Sequence, residues 1–189
     1  MEATQSRTVN GVDVRQLKET IMAVKGEPTL AKCIFRARNK WHDGAFSRAE
    51  VKDFFAAGQE DDSRDMPFVF DLDEPPVLLG ENRGTNPVEY VLVALSGCLT
   101  TSMIYHAAAR NIPVEEIESY YEGDLDLHGF LGISDDVRNG YDNIRITFKV
   151  KGDLTEEQKA EVVAMGQQFS PVFDVVTNPV PVTVECMSM

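Results

Sequence analysis

Residues 84–99 read GTNPVEYVLVALSGCL, and this stretch decides how the rest of the sequence is interpreted. Asn86 is placed to cap a helix, Pro87 follows at the first helical position, and Glu89 lies three residues after Asn86, as in a capping box. Apolar residues then recur at helical spacing, at Val88, Leu92, Leu95, Leu99 and Met103. The sequence therefore predicts a long helix over residues 86–110 that is apolar around most of its circumference and buried, with Cys98 at its middle.

Composition bounds the class of protein. The 189 residues include 18 basic and 31 acidic side chains, a net charge of −13, and 43% hydrophobic residues, which is typical of one compact globular domain. The negative charge argues against nucleic acid or an anionic membrane as the main partner. No run approaches the roughly 18 consecutive apolar residues of a membrane span, and the N-terminus lacks the pattern of a secretory signal.

The three cysteines indicate a cellular compartment. Cys33, Cys98 and Cys186 are odd in number, widely spaced and without a CxxC pair, so they predict neither a disulfide framework nor a zinc site. A reducing, cytoplasmic location is the natural interpretation. The three histidines His42, His106 and His128 lack the spacing of metal ligands, and no glycine-rich loop precedes a helix as a nucleotide site requires. The sequence thus predicts no metal and no cofactor.

The other segments indicate a mixed fold. Helices are predicted at residues 12–25, with Asp13 as N-cap, and at residues 155–168, where Thr155 and Gln158 form a capping box. Strands are predicted at residues 33–41, 68–72, 117–127, 144–150 and 180–185. Residues 46–55 fit a strand or a short helix, residues 170–177 fit a short helix or a turn, and residues 58–65 fit a solvated loop. Strands mixed with a few long helices, without regular alternation, indicate the α+β class.

Cys98 has two interpretations from the residues alone. A cysteine within an apolar helix is most often a small hydrophobic packing residue. A reactive thiolate at such a position needs a cation brought by another segment, because an apolar environment disfavours the charged form of the thiol. His106 is too far along the helix to serve, at about 12 Å along the axis from Cys98.

Residues 84–99 resemble the central cysteine helix of the OsmC/Ohr family of osmotically induced and organic-hydroperoxide-resistance proteins. The resemblance continues through Thr100 and Thr101 and through the helix end at residues 107–112. A weaker match is Phe169-Ser170-Pro171-Val172, where the family typically has a cysteine before the proline. A third match, at Trp41, Gly44 and Arg48, resembles the early strand and turn that carry the arginine of the family.

The resemblance implies a fold, an assembly and a chemistry. The family fold is α+β, with antiparallel sheets wrapped around buried central cysteine helices in an intertwined homodimer whose sites lie at the subunit interface. Peroxidase members use the helix cysteine as the peroxidatic thiol, an arginine that stabilises its thiolate, a glutamate that orients the arginine, and a second cysteine that forms a disulfide. Cys98 corresponds to the peroxidatic position. Arg48 is the first candidate for the arginine, and Arg36 and Arg38 are alternatives.

Two positions depart from the peroxidase pattern. The second cysteine is replaced by Ser170, so oxidised Cys98 would need Cys33, Cys186, a small-molecule thiol or a partner protein as its resolving thiol. The glutamate of the peroxidase branches lies ten residues before the cysteine, where this sequence has Val88. Glu89, nine residues before the cysteine, is therefore either catalytic or only part of the helix cap.

The sequence thus leads to a domain division and two hypotheses. Residues 1–30 are interpreted as an N-terminal helical extension that pads the dimer or covers the site, and residues 31–189 as an OsmC-like domain. The first hypothesis is a thiol-dependent reductase of organic or hydrogen peroxides that is recycled by an external or non-standard thiol. The alternative is a non-catalytic protein that binds a small hydrophobic ligand or senses redox state through Cys98. A dimeric scaffold without pocket chemistry is a third interpretation.

Overall fold

A computed structural model describes residues 8–188 of the chain. The first half contains β1 (Thr8–Val9), β2 (Val12–Asp13), α1 (Val14–Gly26), β3 (Arg38–Asp43), β4 (Phe46–Val51), β5 (Phe54–Ala56), β6 (Gln59–Asp61) and β7 (Phe68–Leu72). The second half contains α2 (Pro87–Ala109), β8 (Glu116–Asp124), α3 (Leu127–Phe130), β9 (Asn143–Lys151), α4 (Glu156–Phe169) and α5 (Pro171–Thr177). The predicted α+β class with antiparallel sheets is confirmed.

The described residues form two compact units. The first comprises residue 8 and residues 13–92, and the second comprises residues 9–12 and 93–188. In the first unit, β4 lies between β3 and β7 in an antiparallel three-stranded sheet, and β5 pairs with β6. In the second unit, β8 and β9 form an antiparallel ladder nine residues long. Helix α2 passes along the chain from the first unit into the second.

The three-stranded sheet has two chemically different faces, because side chains alternate along a strand. The register aligns Trp41 with Ser47 and Leu72, and it aligns Ala49 with Phe70, so that one face is largely apolar. Trp41 on this face is 67% exposed. The same register places Lys40, Arg48 and Asp71 side by side on the opposite face, followed by Arg38 and Glu50. Two of the three candidate arginines, Arg38 and Arg48, therefore share one charged face.

The core of the second unit is formed by close packing of α2 against α4. Its fully or almost fully buried side chains are Leu95, Leu99, Met103, Val162 and Met165. The approach is close because α4 carries a glycine at the contact: a Cβ atom on Gly166 would lie 2.8 Å from Cγ of Met103 and 3.3 Å from the backbone oxygen of Leu99. A glycine in a helix costs about 1 kcal/mol relative to alanine, and here it gives α2 room.

Helix α2 is buried on one face only within the single chain. Its buried residues are Leu95, Leu99, Ser102, Met103, Ala107 and Ala108. Val93, Gly97 and Tyr105 lie on the other side and are exposed. Within the single chain, therefore, only one face of α2 is buried, and not most of its circumference as predicted. Within residues 8–188, α2 is long and apolar enough to cross a membrane by length and composition, a test that core helices of soluble proteins also pass.

The side-chain caps predicted for α1 and α4 are confirmed by the structure. The Asp13 side chain accepts hydrogen bonds from the backbone N–H groups of Arg15 and Gln16 at the start of α1. Thr155 and Gln158 form the reciprocal capping box at the start of α4. Both helices begin within two residues of the predicted position, because a side-chain cap fixes where the orphan N–H groups of the first turn are satisfied.

Three strand assignments differ from the sequence prediction. Residues 33–37 are not part of a strand, since only Ile34 pairs there, with Phe55, and β3 begins at Arg38, where β4 lies opposite. Residues 59–61 form a strand instead of a loop, because Ala57 and Gly58 both adopt positive φ and close a tight hairpin. Residues 180–185 form no ladder within the described chain. Alternation of apolar and polar residues indicates that one face of a segment is buried and the other exposed. A strand also needs a neighbouring strand to which it can hydrogen-bond.

The N-terminal extension is described from residue 8 onward. Its helix is present as α1, but α1 has no buried residue in the single chain, and its apolar residues Val14, Leu17 and Val24 are half-buried. Residues 1–7 lie outside the described chain. The domain boundary near residue 30 stays a prediction.

Candidate functional site

The start of α2 is fixed by three side-chain hydrogen bonds. Asn86 Oδ1 accepts from the backbone N–H of Val88 at 2.9 Å, and Glu89 Oε2 accepts from the backbone N–H of Asn86 at 3.0 Å. The Asn86 side-chain amide in turn donates to Glu74 Oε2 at 2.5 Å. The Glu89 carboxylate is therefore used as a helix cap, which is one of the two roles that the sequence left open.

Glu89 and Cys98 do not face each other. Helix α2 is unbroken between them, and nine residues at about 100° each place two side chains on opposite sides of a helix. A role for Glu89 in orienting a cation toward the sulfur of its own helix is not supported by this geometry.

Cys98 lies at the middle of α2 and is neither fully buried nor fully exposed. The next residue, Leu99, and the residue one turn later, Ser102, both belong to the buried face of the helix. Within the second unit, the described residues make no hydrogen bond to the Cys98 sulfur. The thiol thus sits at the margin of the α2 core, half-exposed, with no hydrogen-bond partner among the described residues of its unit.

Arg48 is held by Asp71, a residue that the sequence analysis did not single out. Arg48 Nε donates to Asp71 Oδ1 at 2.6 Å, and Arg48 Nη2 donates to Asp71 Oδ2 at 3.0 Å. The pair is bidentate because the two residues lie directly opposite each other on β4 and β7. The Arg48 hydrogen bonds hold the pKa of Asp71 below its usual value, against a smaller opposing effect of desolvation.

Two further arginines were alternatives to Arg48. Arg36 makes a bidentate ion pair with Glu60, with both N–O distances at 2.8 Å. Arg38 lies on the same charged sheet face as Arg48. All three arginines belong to the first unit, whereas Cys98 belongs to the second. The sequence-predicted residues Arg48, Glu89 and Cys98 are thus each located, and Arg48 is paired with a different carboxylate from the one expected.

A buried carboxylate organises the loop that leads into α2. The Asp73 side chain is 0% exposed and accepts backbone hydrogen bonds from Glu74, Glu81 and Arg83 at 2.9–3.1 Å. The Arg83 side chain adds a contact at 3.4 Å through Nε. The backbone N–H of Arg83 is the largest cause of the lowered pKa of Asp73. An aspartate between a strand and a Pro-Pro turn was the only sequence signal for this site.

Ser170, at the position of the second family cysteine, has a structural role. It is 3% exposed, and its Oγ accepts a hydrogen bond from the backbone N–H of Phe173 at 3.1 Å, which caps α5. The preceding residue, Phe169, stacks on His106 with the ring centroids 3.7 Å apart. Burial, with the adjacent Arg110 as a second cause, lowers the pKa of His106. The junction between α4 and α5 therefore packs against the end of α2 through the Phe169–His106 ring contact, and residue 170 contributes a hydroxyl cap where the family has a thiol.

The remaining polar groups give no metal-ligating arrangement within residues 8–188. No cluster of three His, Cys, Asp or Glu side chains with metal-binding geometry occurs in this part of the chain. His128 pairs with Asp126 at 2.6 Å on the surface. Cys33 and Cys186 are free and exposed.

Comparisons with known proteins agree with the resemblance found in the sequence. Residues 80–185 match the profile of the family described as OsmC-like protein. An OsmC-like protein from Mycoplasma pneumoniae is similar in structure, with a TM-score of 0.60 and 14% identity over 77% of this chain and 88% of that one. No curated relative matches the sequence.

Two structural neighbours with TM-scores above 0.5 carry names that refer to hydroperoxides. One is an organic hydroperoxide resistance protein OsmC from Legionella pneumophila, with a TM-score of 0.54 and 18% identity over 78% of this chain and 93% of that one. The other, from Elizabethkingia anophelis, has a TM-score of 0.53 and 14% identity over 77% and 89% of the two chains. At these identities the likeness establishes the shared fold, and the predicted family resemblance is confirmed.

The capping role of Glu89 is tested by substitution. Glu89→Gln should leave the free energy of unfolding almost unchanged, because an amide oxygen accepts the same hydrogen bond from Asn86. Glu89→Ala should lower it by about 0.5–1 kcal/mol, as expected for loss of a helix cap. Urea unfolding of both variants and the wild type gives these values. If Glu89→Gln and Glu89→Ala lowered the free energy of unfolding equally, the negative charge of Glu89, and not its capping hydrogen bond, would be the stabilising feature.

Proposed function

The chain belongs to the OsmC-like protein family, and from this premise we propose that it is a thiol-dependent reductase of organic hydroperoxides and hydrogen peroxide, with Cys98 as the peroxidatic thiol. The observation that carries the proposal is the position of Cys98, a half-exposed cysteine at the middle of the helix that the family profile covers. Two structural neighbours named as organic hydroperoxide resistance proteins support the same class of substrate.

The proposed reaction is a two-electron reduction of the peroxide bond. The Cys98 thiolate attacks one oxygen of the O–O bond, the bond breaks, and the leaving alkoxide takes up a proton to become the alcohol. Cys98 is oxidised to a sulfenic acid. A second thiol then forms a disulfide with this sulfur and water is released, and a further thiol reduces the disulfide.

Arg48 is the proposed cation for the thiolate, and Asp71 replaces the family glutamate as the carboxylate that holds it. The bidentate Arg48–Asp71 pair supports this assignment, since it fixes the guanidinium while leaving other N–H groups free to donate. The capping hydrogen bond of Glu89 supports Asp71 over Glu89 as this carboxylate. Arg36 makes a comparable bidentate pair with Glu60, so the ion pair alone does not separate the two arginines. Arg48 is preferred because Trp41, Gly44 and Arg48 together resemble the strand and turn that carry the arginine of the family.

The resolving thiol is proposed to come from outside the chain. Ser170 cannot form a disulfide, and its buried hydroxyl caps α5. Cys33 and Cys186 are exposed, and they are the internal alternatives. A small-molecule thiol or a thiol protein reaches a half-exposed sulfur more directly, so the proposed cycle uses an external reductant.

A non-catalytic role is the second candidate. In it the protein binds a small hydrophobic ligand, or senses redox state, through the same region of α2. Two observations favour it: the second cysteine is absent at residue 170, and within its unit Cys98 has no hydrogen bond from a described side chain.

The proposed assembly is a homodimer in a reducing cytoplasm, with neither nucleic acid nor membrane as partner. Exposed apolar surface supports the dimer: Trp41 and Phe68 on the sheet of the first unit, and Val93 and Tyr105 on α2 in the second, are all at least 49% exposed. Exposed apolar side chains grouped on one sheet face or one helix face are typical of interaction sites. Three free cysteines support a reducing compartment.

Hydroperoxide turnover tests the catalytic proposal. Purified protein should reduce cumene hydroperoxide in the presence of dithiothreitol, a lipoylated carrier protein or thioredoxin, and Cys98→Ser should abolish the reaction because the nucleophile is removed. Consumption of peroxide is the measurement. Cys33→Ser and Cys186→Ser serve as matched controls and should keep most of the wild-type rate. Absence of turnover with all three reductants would favour the non-catalytic role.

The homodimer is tested by sedimentation velocity. The wild type should sediment as a dimer of 42 kDa, twice the 21.0 kDa of the chain. Val93→Asp should shift it toward monomer, since a carboxylate would be desolvated on the exposed face of α2. Lys149→Asp, a surface change on β9, is the control. A wild type that sediments as a monomer at all concentrations would contradict the proposed assembly.

A further inference from the structure

The charged face of the first unit contains a cavity that the proposed peroxide chemistry does not use. Its volume is about 400 Å³, and its lining residues are Arg36, Arg38, Glu50, Lys52, Asp53, Glu60 and Pro67. A volume of this order is within the range of small-molecule sites. Six of the seven lining residues are ionisable, so a ligand of this cavity must be polar.

Charge is distributed unevenly along the chain around this cavity. Residues 32–52 contain six basic and two acidic residues, a net charge of +4, whereas the whole chain carries −13. The strand alternation of β3 and β4 puts Arg38, Lys40 and Arg48 on the same sheet face. The cavity lining itself is balanced, with three basic and three acidic residues, so anion binding there depends on the lining cations that are not already paired.

The cations of the cavity differ in how far they are neutralised. Arg36 is fully engaged by Glu60 in a bidentate pair. Lys52 is 3.8 Å from the Asp53 carboxylate, at the outer limit of an ion pair. Arg38 forms no ion pair within 4 Å among residues 8–188, although Glu50 lies opposite it in the β3–β4 register. Arg38 therefore has an unused guanidinium group, and Lys52 has an ammonium group that is only loosely held.

We propose that this cavity binds the oxyanion group of a small polar ligand, a carboxylate or a phosphate, through Arg38 and Lys52. The planar guanidinium of Arg38 matches either group in a bidentate geometry, and the lysine adds a second charge. Arg36, fixed by Glu60, forms the wall of the site. Glu50 limits the affinity, because it competes for Arg38 and repels the ligand. Cys98 is not among the lining residues.

The test is a titration of the full-length protein followed by amide chemical shifts in ¹⁵N-labelled samples at low ionic strength. Inorganic phosphate and succinate are titrated separately, so that the stronger and saturable response identifies the phosphate or the carboxylate as the preferred group. Residues 36–38 and 50–53 should show the shifts, with millimolar affinity that weakens as sodium chloride is added, since the charges are exposed.

Three variants make the test specific. Arg38→Gln should weaken binding about tenfold or more, as expected for loss of a charge-assisted hydrogen-bond donor. Glu50→Gln should strengthen it about two- to fivefold by removing the competitor. Lys149→Gln changes the net charge by the same amount as Arg38→Gln but lies outside the cavity lining, and it should bind like the wild type.

The outcomes separate this inference from the proposed function. Cys98→Ser should bind the anions as the wild type does, whether or not the protein reduces peroxides. Shifts that do not saturate, shifts spread over the surface, or an equal loss in Arg38→Gln and Lys149→Gln would overturn the proposal, because they would show only a general response to ionic strength and charge.

Discussion

The buried carboxylate of Asp73 is the interaction on which the start of α2 depends. It accepts hydrogen bonds from three backbone N–H groups of the loop between β7 and α2, and the Arg83 side chain is a fourth donor. The loop is then positioned so that Glu74 receives the side-chain amide of Asn86, which caps α2. Removing such a carboxylate would leave several buried donors without an acceptor, which is costly for any fold.

The consequence of this anchoring is a fixed phase for α2. Once Asn86 starts the helix, every later residue has its direction set: Leu95, Leu99 and Met103 face α4, and Gly166 allows their close approach. Cys98 comes to the margin of that buried face, half-exposed. The exposure of Cys98 is therefore set by where α2 begins. That start is the Asn86 cap, thirteen residues after Asp73 in the sequence.

Much of this could be predicted from the sequence, since caps and helical periodicity are local signals. Asp13, Asn86 and Thr155 were each predicted to cap a helix, and each does so in the structure. Strand pairing is not local, and for this reason the prediction for residues 180–185 was wrong within the described chain, and the partner of Arg48 was missed. Asp71 becomes visible only when β7 is known to lie against β4 in a particular register. The family resemblance located Cys98 but not its electrostatic surroundings.

The most direct test of the account is the pH dependence of Cys98 alkylation by iodoacetamide, measured in a Cys33→Ser/Cys186→Ser background so that a single thiol reports. If Cys98 is a peroxidatic thiol with a cation directed at it, alkylation reaches half its maximal rate at a pH well below the value of about 8.5 for a free cysteine. Arg48→Gln should move that midpoint upward, and Arg36→Gln should not. A midpoint at or above 8.5 in the wild-type context, or a thiol that does not react, would contradict the account.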